Sequence, residues 1–130
     1  MERCRVIKRL LFCLVVFMTG CATTLQPLPT LSFAEAYRAV ENLPPDSYID
    51  DYEHLWNDFN NALKLDQRDG CYERSVEPIQ QVLVLDASGK VVQYVSDLDT
   101  PRSRCFRNTY LGVKFPKPPI SPYYKYALMR

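Results

Sequence analysis

The chain has 130 residues, 47% of them hydrophobic and 24% charged, and its 16 Lys and Arg against 15 Asp and Glu give a formal net charge of +1. That balance, with the basic residues scattered, excludes an electrostatic nucleic-acid binder. The length suits one domain with one core. A single histidine leaves little for acid–base or metal chemistry, so no catalytic residue, metal ligand or cofactor is expected.

The N-terminal stretch "KRLLFCLVVFMTGCATT" runs from Lys8 to Thr24. Its apolar run, Leu10–Met18, holds nine residues, well short of the ~20 needed to span a bilayer. Arg3, Arg5, Lys8 and Arg9 precede or open it, with only Glu2 against them. A basic head, a short apolar core and a small-residue end make a signal peptide. "Met18-Thr19-Gly20-Cys21" resembles a bacterial lipobox, with Met18 in place of the usual Leu. The resemblance implies that the Cys21 thiol takes a diacylglycerol, that cleavage falls just before it, and that the new α-amino group is acylated. The thiolate is the nucleophile this needs, and three acyl chains exceed the two signals that stable anchoring requires. Ala22, rather than Asp, implies the periplasmic face of the outer membrane in a Gram-negative cell. The alternative is an ordinary secretory signal cut elsewhere, with Cys21 as a disulfide partner. The expected layout is a signal peptide at 1–20, a lipidated Cys and tether at 21–31, and one α+β domain at 32–130.

Removing residues 1–20 changes the counts. Of five cysteines, Cys4 and Cys13 leave and Cys21 carries lipid, so Cys71 and Cys105 remain. Outside the cytoplasm two such cysteines pair. No Cys-x-x-Cys occurs, and a structural zinc site needs four ligands. The signal carries four basic residues and one acidic, so the mature chain has 12 basic (16 − 4) and 14 acidic (15 − 1), a charge of −2. Residues 22–70 hold three basic and nine acidic residues, whereas residues 71–130 hold nine and five. Such polarity implies two surfaces that face each other or different partners.

"ATTLQPLPTL" (22–31) has two prolines and no charge, which predicts an extended tether close to the bilayer. Ser32 and Glu35 form a capping box before a helix marked by Phe33, Ala36, Tyr37, Val40 and Leu43 and stopped by Pro44 and Pro45. A second helix places Tyr48, Ile49, Tyr52, Leu55, Trp56, Phe59, Ala62 and Leu63 at spacings of three and four, opposite an acidic face. Asp50 and Asp51 at its start and Lys64 at its end suit the helix dipole. The period then shortens. Val82–Leu85 and Val91–Val95 flank "DASGK", which predicts a hairpin turning at Gly89. A short helix is expected from Pro101 or Ser103, with Gly112 as its cap. "KFPKPPISP" is extended, and "YYKYALMR" places Tyr124, Tyr126 and Leu128 on one side of a closing strand. The predicted fold is α+β: two helices, then an antiparallel sheet of about three strands, with one short helix before the last strand.

"Gly70-Cys71-Tyr72-Glu73-Arg74", "VLVLDASGKV", Cys105 and "Lys114-Phe115-Pro116" resemble the C-terminal domain of TonB-type energy transducers, and most of all AgmX-like domains. Asp86, Gly89 and Val91 match the D-x-x-G-x-V turn of that family. The motifs fall between about residues 70 and 120, and the similar part extends to about 130. The stretch between Cys71 and the first strand is shorter than in that family, and the membrane anchor and Pro-rich linker of the transducers have no counterpart, so the transducer role is not carried over. What the resemblance implies is a small sheet whose edge accepts a partner's strand. BamE-type lipoproteins likewise place two helices before three antiparallel strands, but none of their motifs occurs.

The expected function is a lipid-anchored, non-catalytic binding or scaffold module of the cell envelope with an envelope protein partner. Its oligomeric state is left open. Candidate contacts are the sheet edge and the Tyr/Pro tail: Phe115, Pro116, Pro118, Pro119, Tyr123, Tyr124 and Tyr126. Simple packing of those tyrosines over the second helix is an equal reading of the tail. The alternative function is a small hydrolase using Asp50, Asp51, Glu53 and His54, the one dense acid–base cluster.

Overall fold

In the computed structural model the described residues are 28–130. The expected signal peptide at 1–20, the expected lipidation site Cys21 and the start of the expected tether lie outside them. The fold is α+β with a three-stranded antiparallel sheet. Its elements are α1 (Phe33–Glu41), α2 (Ser47–Leu63), a 3₁₀ segment (Leu65–Arg74), β1 (Ile79–Leu85), β2 (Val91–Ser96), α3 (Pro101–Tyr110) and β3 (Tyr123–Met129). The strand order is β2-β1-β3, so the last strand joins the first rather than extending the hairpin.

Local chemistry fixes the boundaries. Ser32 and Glu35 close a capping box at the start of α1, satisfying N–H groups that the first helical turn leaves orphaned. Asp46 accepts from the Tyr48 N–H (3.0 Å) at the start of α2. Thr100 and Ser103 form a second box on α3, with Pro101 in the first turn. Lys64 stands just past the last turn of α2, as its C-cap, and takes a left-handed backbone (φ 50°). The 3₁₀ segment had no sequence expectation. It is broken at Arg68, Asp69 and Gly70, whose backbone leaves the helical region.

Facing pairs in the sheet assign each side chain to a face. Leu83 lies between Tyr94 and Lys125, and Leu85 between Val91 and Tyr123. That face carries the main core, with Tyr52 and Trp56 of α2 and Phe106 and Tyr110 of α3. Val82 lies between Val95 and Tyr126, and Val84 between Gln93 and Tyr124. This second face is covered by α1, where Ala36 is fully buried and Tyr37 meets Tyr126 edge to face, centroids 5.4 Å apart. β1 is therefore buried on both sides, which explains its near-continuous apolar run.

Candidate functional site

β1 occupies the middle of the sheet, so any strand-adding site lies on β2 or β3. The start of β2 is already engaged. The Val91 N–H donates to the Val113 carbonyl and the Gly112 N–H to the Val91 carbonyl, both at 2.9 Å. Lys90 bridges Lys114 just before it. β3 differs: among the described residues no backbone hydrogen bond engages the side of Tyr123–Met129 away from β1. An unpaired row of N–H and C=O groups seven residues long is a template for an added strand.

Side chains hold that strand in place from both faces. Glu53 of α2 accepts from the Tyr123 hydroxyl and from the Lys125 ammonium. Lys125 is only 8% exposed, and its ammonium also lies 4.8 Å from the centroid of the Trp56 ring. Tyr52 packs edge to face on Tyr123 at 4.8 Å. On the α1 face the Tyr126 hydroxyl donates to Gln80 Oε1 (3.1 Å). Burial, and then the bond to Glu53, push the Tyr123 phenol well above the ordinary tyrosine range.

The Tyr/Pro tail is mostly structure. Phe115 is 2% exposed and Tyr123 is fully buried; Pro118 is buried, Pro116, Tyr124 and Tyr126 are half-buried, and Pro119 is exposed. Phe115 stacks on Trp56 (4.6 Å, 9°), and the Pro116 carbonyl accepts from the Tyr52 hydroxyl at 2.7 Å, which is the packing over the second helix given as the equal reading of the tail. Gly89 explains why the hairpin turn and the Phe-Pro belong together. A Cβ there would lie 2.3 Å from the Phe115 carbonyl oxygen and 2.7 Å from that of Pro116. Its φ is +89°, and its carbonyl accepts from the Phe115 N–H at 2.9 Å. Only glycine admits both the conformation and the approach.

Cys71 and Cys105 are joined, with Sγ–Sγ 2.04 Å and Cα–Cα 5.4 Å. They tie the 3₁₀ segment to α3. The shallow depression beside them is lined by Asp69, Arg74, Pro101, Arg104, Cys105 and Asn108. Its arginines are engaged, Arg74 on the Asp69 carbonyl and Arg104 on Asp99.

The expected acid–base cluster is divided between inside and outside. Glu53 turns inward to Lys125 and Tyr123, while Asp50, Asp51 and His54 are exposed to solvent. Among the described residues no group of three or more His, Cys, Asp and Glu side chains could hold a metal ion, and no helix is long and apolar enough to cross a membrane.

Two side chains that fix this part of the fold had no sequence signal. Lys125 is an inward-facing charge on a strand that reads as plain alternation. Gln93, half-buried on β2, holds the segment before α1: its Oε1 accepts from the Leu31 N–H (3.1 Å) and its Nε2 donates to the Pro29 carbonyl (2.7 Å). Both pairings span more than sixty residues, beyond any local pattern. No family model, no curated protein and no solved structure matches the chain.

Proposed function

We propose that this chain is a lipid-anchored binding module of the bacterial cell envelope. Residues 1–20 are a signal peptide, Cys21 carries the lipid, and the domain of two helices, hairpin, helix and closing strand presents β3 on the periplasmic face of the outer membrane. The partner is an envelope protein that adds an extended segment to the sheet. The observation that carries this reading is the open, seven-residue β3 edge, fixed from behind by Glu53, Lys125 and Tyr123. A fixed edge loses little entropy when a strand docks on it. Support for the anchor is the Met18–Cys21 motif after a basic, apolar leader. The resemblance to TonB-type and AgmX-like domains adds to the reading, because Gly89 and Phe115-Pro116 serve one another in packing.

The test places a photo-crosslinking amino acid at Leu128, an exposed β3 position, and as a control at Leu98, an equally exposed position beyond β2. Crosslinks to one envelope protein from Leu128 and not from Leu98 are the expected result. Equal capture at both positions, or none at Leu128, refutes edge binding. Separately, Cys21→Ala is expected to leave an unprocessed, unlipidated precursor, and normal anchoring of that variant refutes the lipid attachment.

A further inference from the structure

We infer that Gln93 clips the tether to the β2 side of the sheet and so turns the open β3 edge away from the bilayer. The inference rests on the lipid-anchor reading above and deepens it by saying from which side a partner reaches the edge.

The Gln93 carboxamide carries the same donor and acceptor as a peptide group. It reads the Leu31 N–H and the Pro29 carbonyl, two groups on the same side of an extended backbone. This is one rung of a strand pairing made by a side chain. It joins the chain to the sheet before α1 begins. α1 then crosses the second face, since Leu31 lies at Gln93 on β2 and Tyr37 lies on Tyr126 of β3. The tether therefore leaves the domain beside β2, and the open edge lies on the far side of the sheet, two strand spacings or ~10 Å away.

The leash is short. Between Cys21 and the clip stand residues 22–28, seven in number, with a reach of at most ~25 Å. A domain of ~100 residues has a radius of gyration of ~13 Å, so the leash is no longer than the domain is wide. Releasing Pro29–Leu31 lengthens it to ten residues and ~35 Å, enough to let the domain roll. An extended segment of an envelope protein thus meets β3 from the membrane-distal side.

The experiment uses full-length lipidated protein in bilayer nanodiscs doped with a gadolinium-chelate lipid. Amide relaxation is read along both outer strands. In the native chain Val92 and Tyr94 of β2 are expected to broaden more than Tyr124, Tyr126 and Leu128 of β3. Exchange of the Leu31 amide is expected to be slow. In Gln93→Ala the contrast between strands collapses and Leu31 exchange quickens about fivefold, the equivalent of ~1 kcal/mol for one net hydrogen bond. Gln93→Glu keeps the acceptor for Leu31 but loses the donor to Pro29, and is expected to fall between the two with sheet amide signals unchanged. If the native chain attaches but both strands relax alike, or the Leu31 amide is unprotected, the clip is refuted and the anchor stands. If the native chain does not attach, the anchor reading fails and the inference falls with it.

Discussion

Glu53 and Lys125 carry a prediction whose sign and asymmetry follow from burial. The Lys125 side chain is 10% exposed and that of Glu53 32%. Glu53→Leu strands an ammonium beside Trp56 and removes the acceptor of the Tyr123 hydroxyl. Breaking a buried pair from one side costs about 3–5 kcal/mol; Lys125 deserves the lower half of that range, about 3 kcal/mol, because the ring face retains part of the cation's stabilisation. Lys125→Met keeps the aliphatic stem and leaves a carboxylate that water reaches and Tyr123 still satisfies. Its cost is about 1–2 kcal/mol, mostly the lost ion pair and cation–π contact. The double variant removes the orphaned charge, so its cost is less than the sum, with a coupling of at least about 1 kcal/mol. Urea unfolding of the four proteins, analysed as a double-mutant cycle, measures all three quantities. A coupling under about 0.5 kcal/mol, the ordinary error of additivity, or a larger loss in Lys125→Met than in Glu53→Leu, refutes the reasoning.

Two further outcomes are expected. The Cys71–Cys105 bridge closes a separation of 34 residues, for which the chain-entropy relation gives about 3.8 kcal/mol; Cys71→Ala/Cys105→Ala should lower the urea midpoint accordingly, and a loss under about 1 kcal/mol contradicts that assignment. Burial first of all raises the phenols of Tyr52, Tyr94, Tyr110 and Tyr123 above the ordinary range, so the stability they contribute is full below the unfolded value of about 10 and is lost as pH climbs toward the raised folded values. Tyrosinate absorbance from these four should rise together with loss of far-UV circular dichroism, and their smooth ionisation in an intact fold would count against the packing described.

Local features were legible in the sequence because their causes are local. The Ser32–Glu35 box, the helical spacing of Tyr52, Trp56 and Phe59, and the Asp86–Lys90 turn each depend on neighbours a few residues apart. The 3₁₀ segment was not legible. "LDQRDGCYER" has no apolar period, and its course is set from outside, by the Cys105 bridge and by Arg102 donating to the Tyr72 carbonyl at 2.6 Å. Strand order was equally hidden, since β3 beside β1 is a pairing across some forty residues. The alternation of Tyr124, Tyr126 and Leu128 could be read, but not which face would be covered. That depended on α1, whose Tyr37 reaches Tyr126. The burial of Phe115 could not be read locally because it needs two distant partners, Gly89 and Trp56.

The charge polarity of the chain acquires a different meaning in three dimensions. Two cations of the basic half are drawn into packing, and a third lies over a ring from an exposed position. Arg102 is 5% exposed and donates to the Glu77 and Tyr72 carbonyls, Arg107 lies over the Tyr94 ring, and Lys125 is held by Glu53. The acidic half spends only Glu53 in that way on α2; Asp50, Asp51 and Asp58 stay exposed, and Ser47–Leu63 contains no Lys or Arg to balance them. The polarity therefore sets an outward acidic helix apart from a basic half in which Arg102 and Lys125 are buried and the other cations stay exposed. That helix packs on the sheet face opposite α1, so the two faces of the sheet carry covers of different charge: α2 with no Lys or Arg, and α1 with Arg38 among its residues.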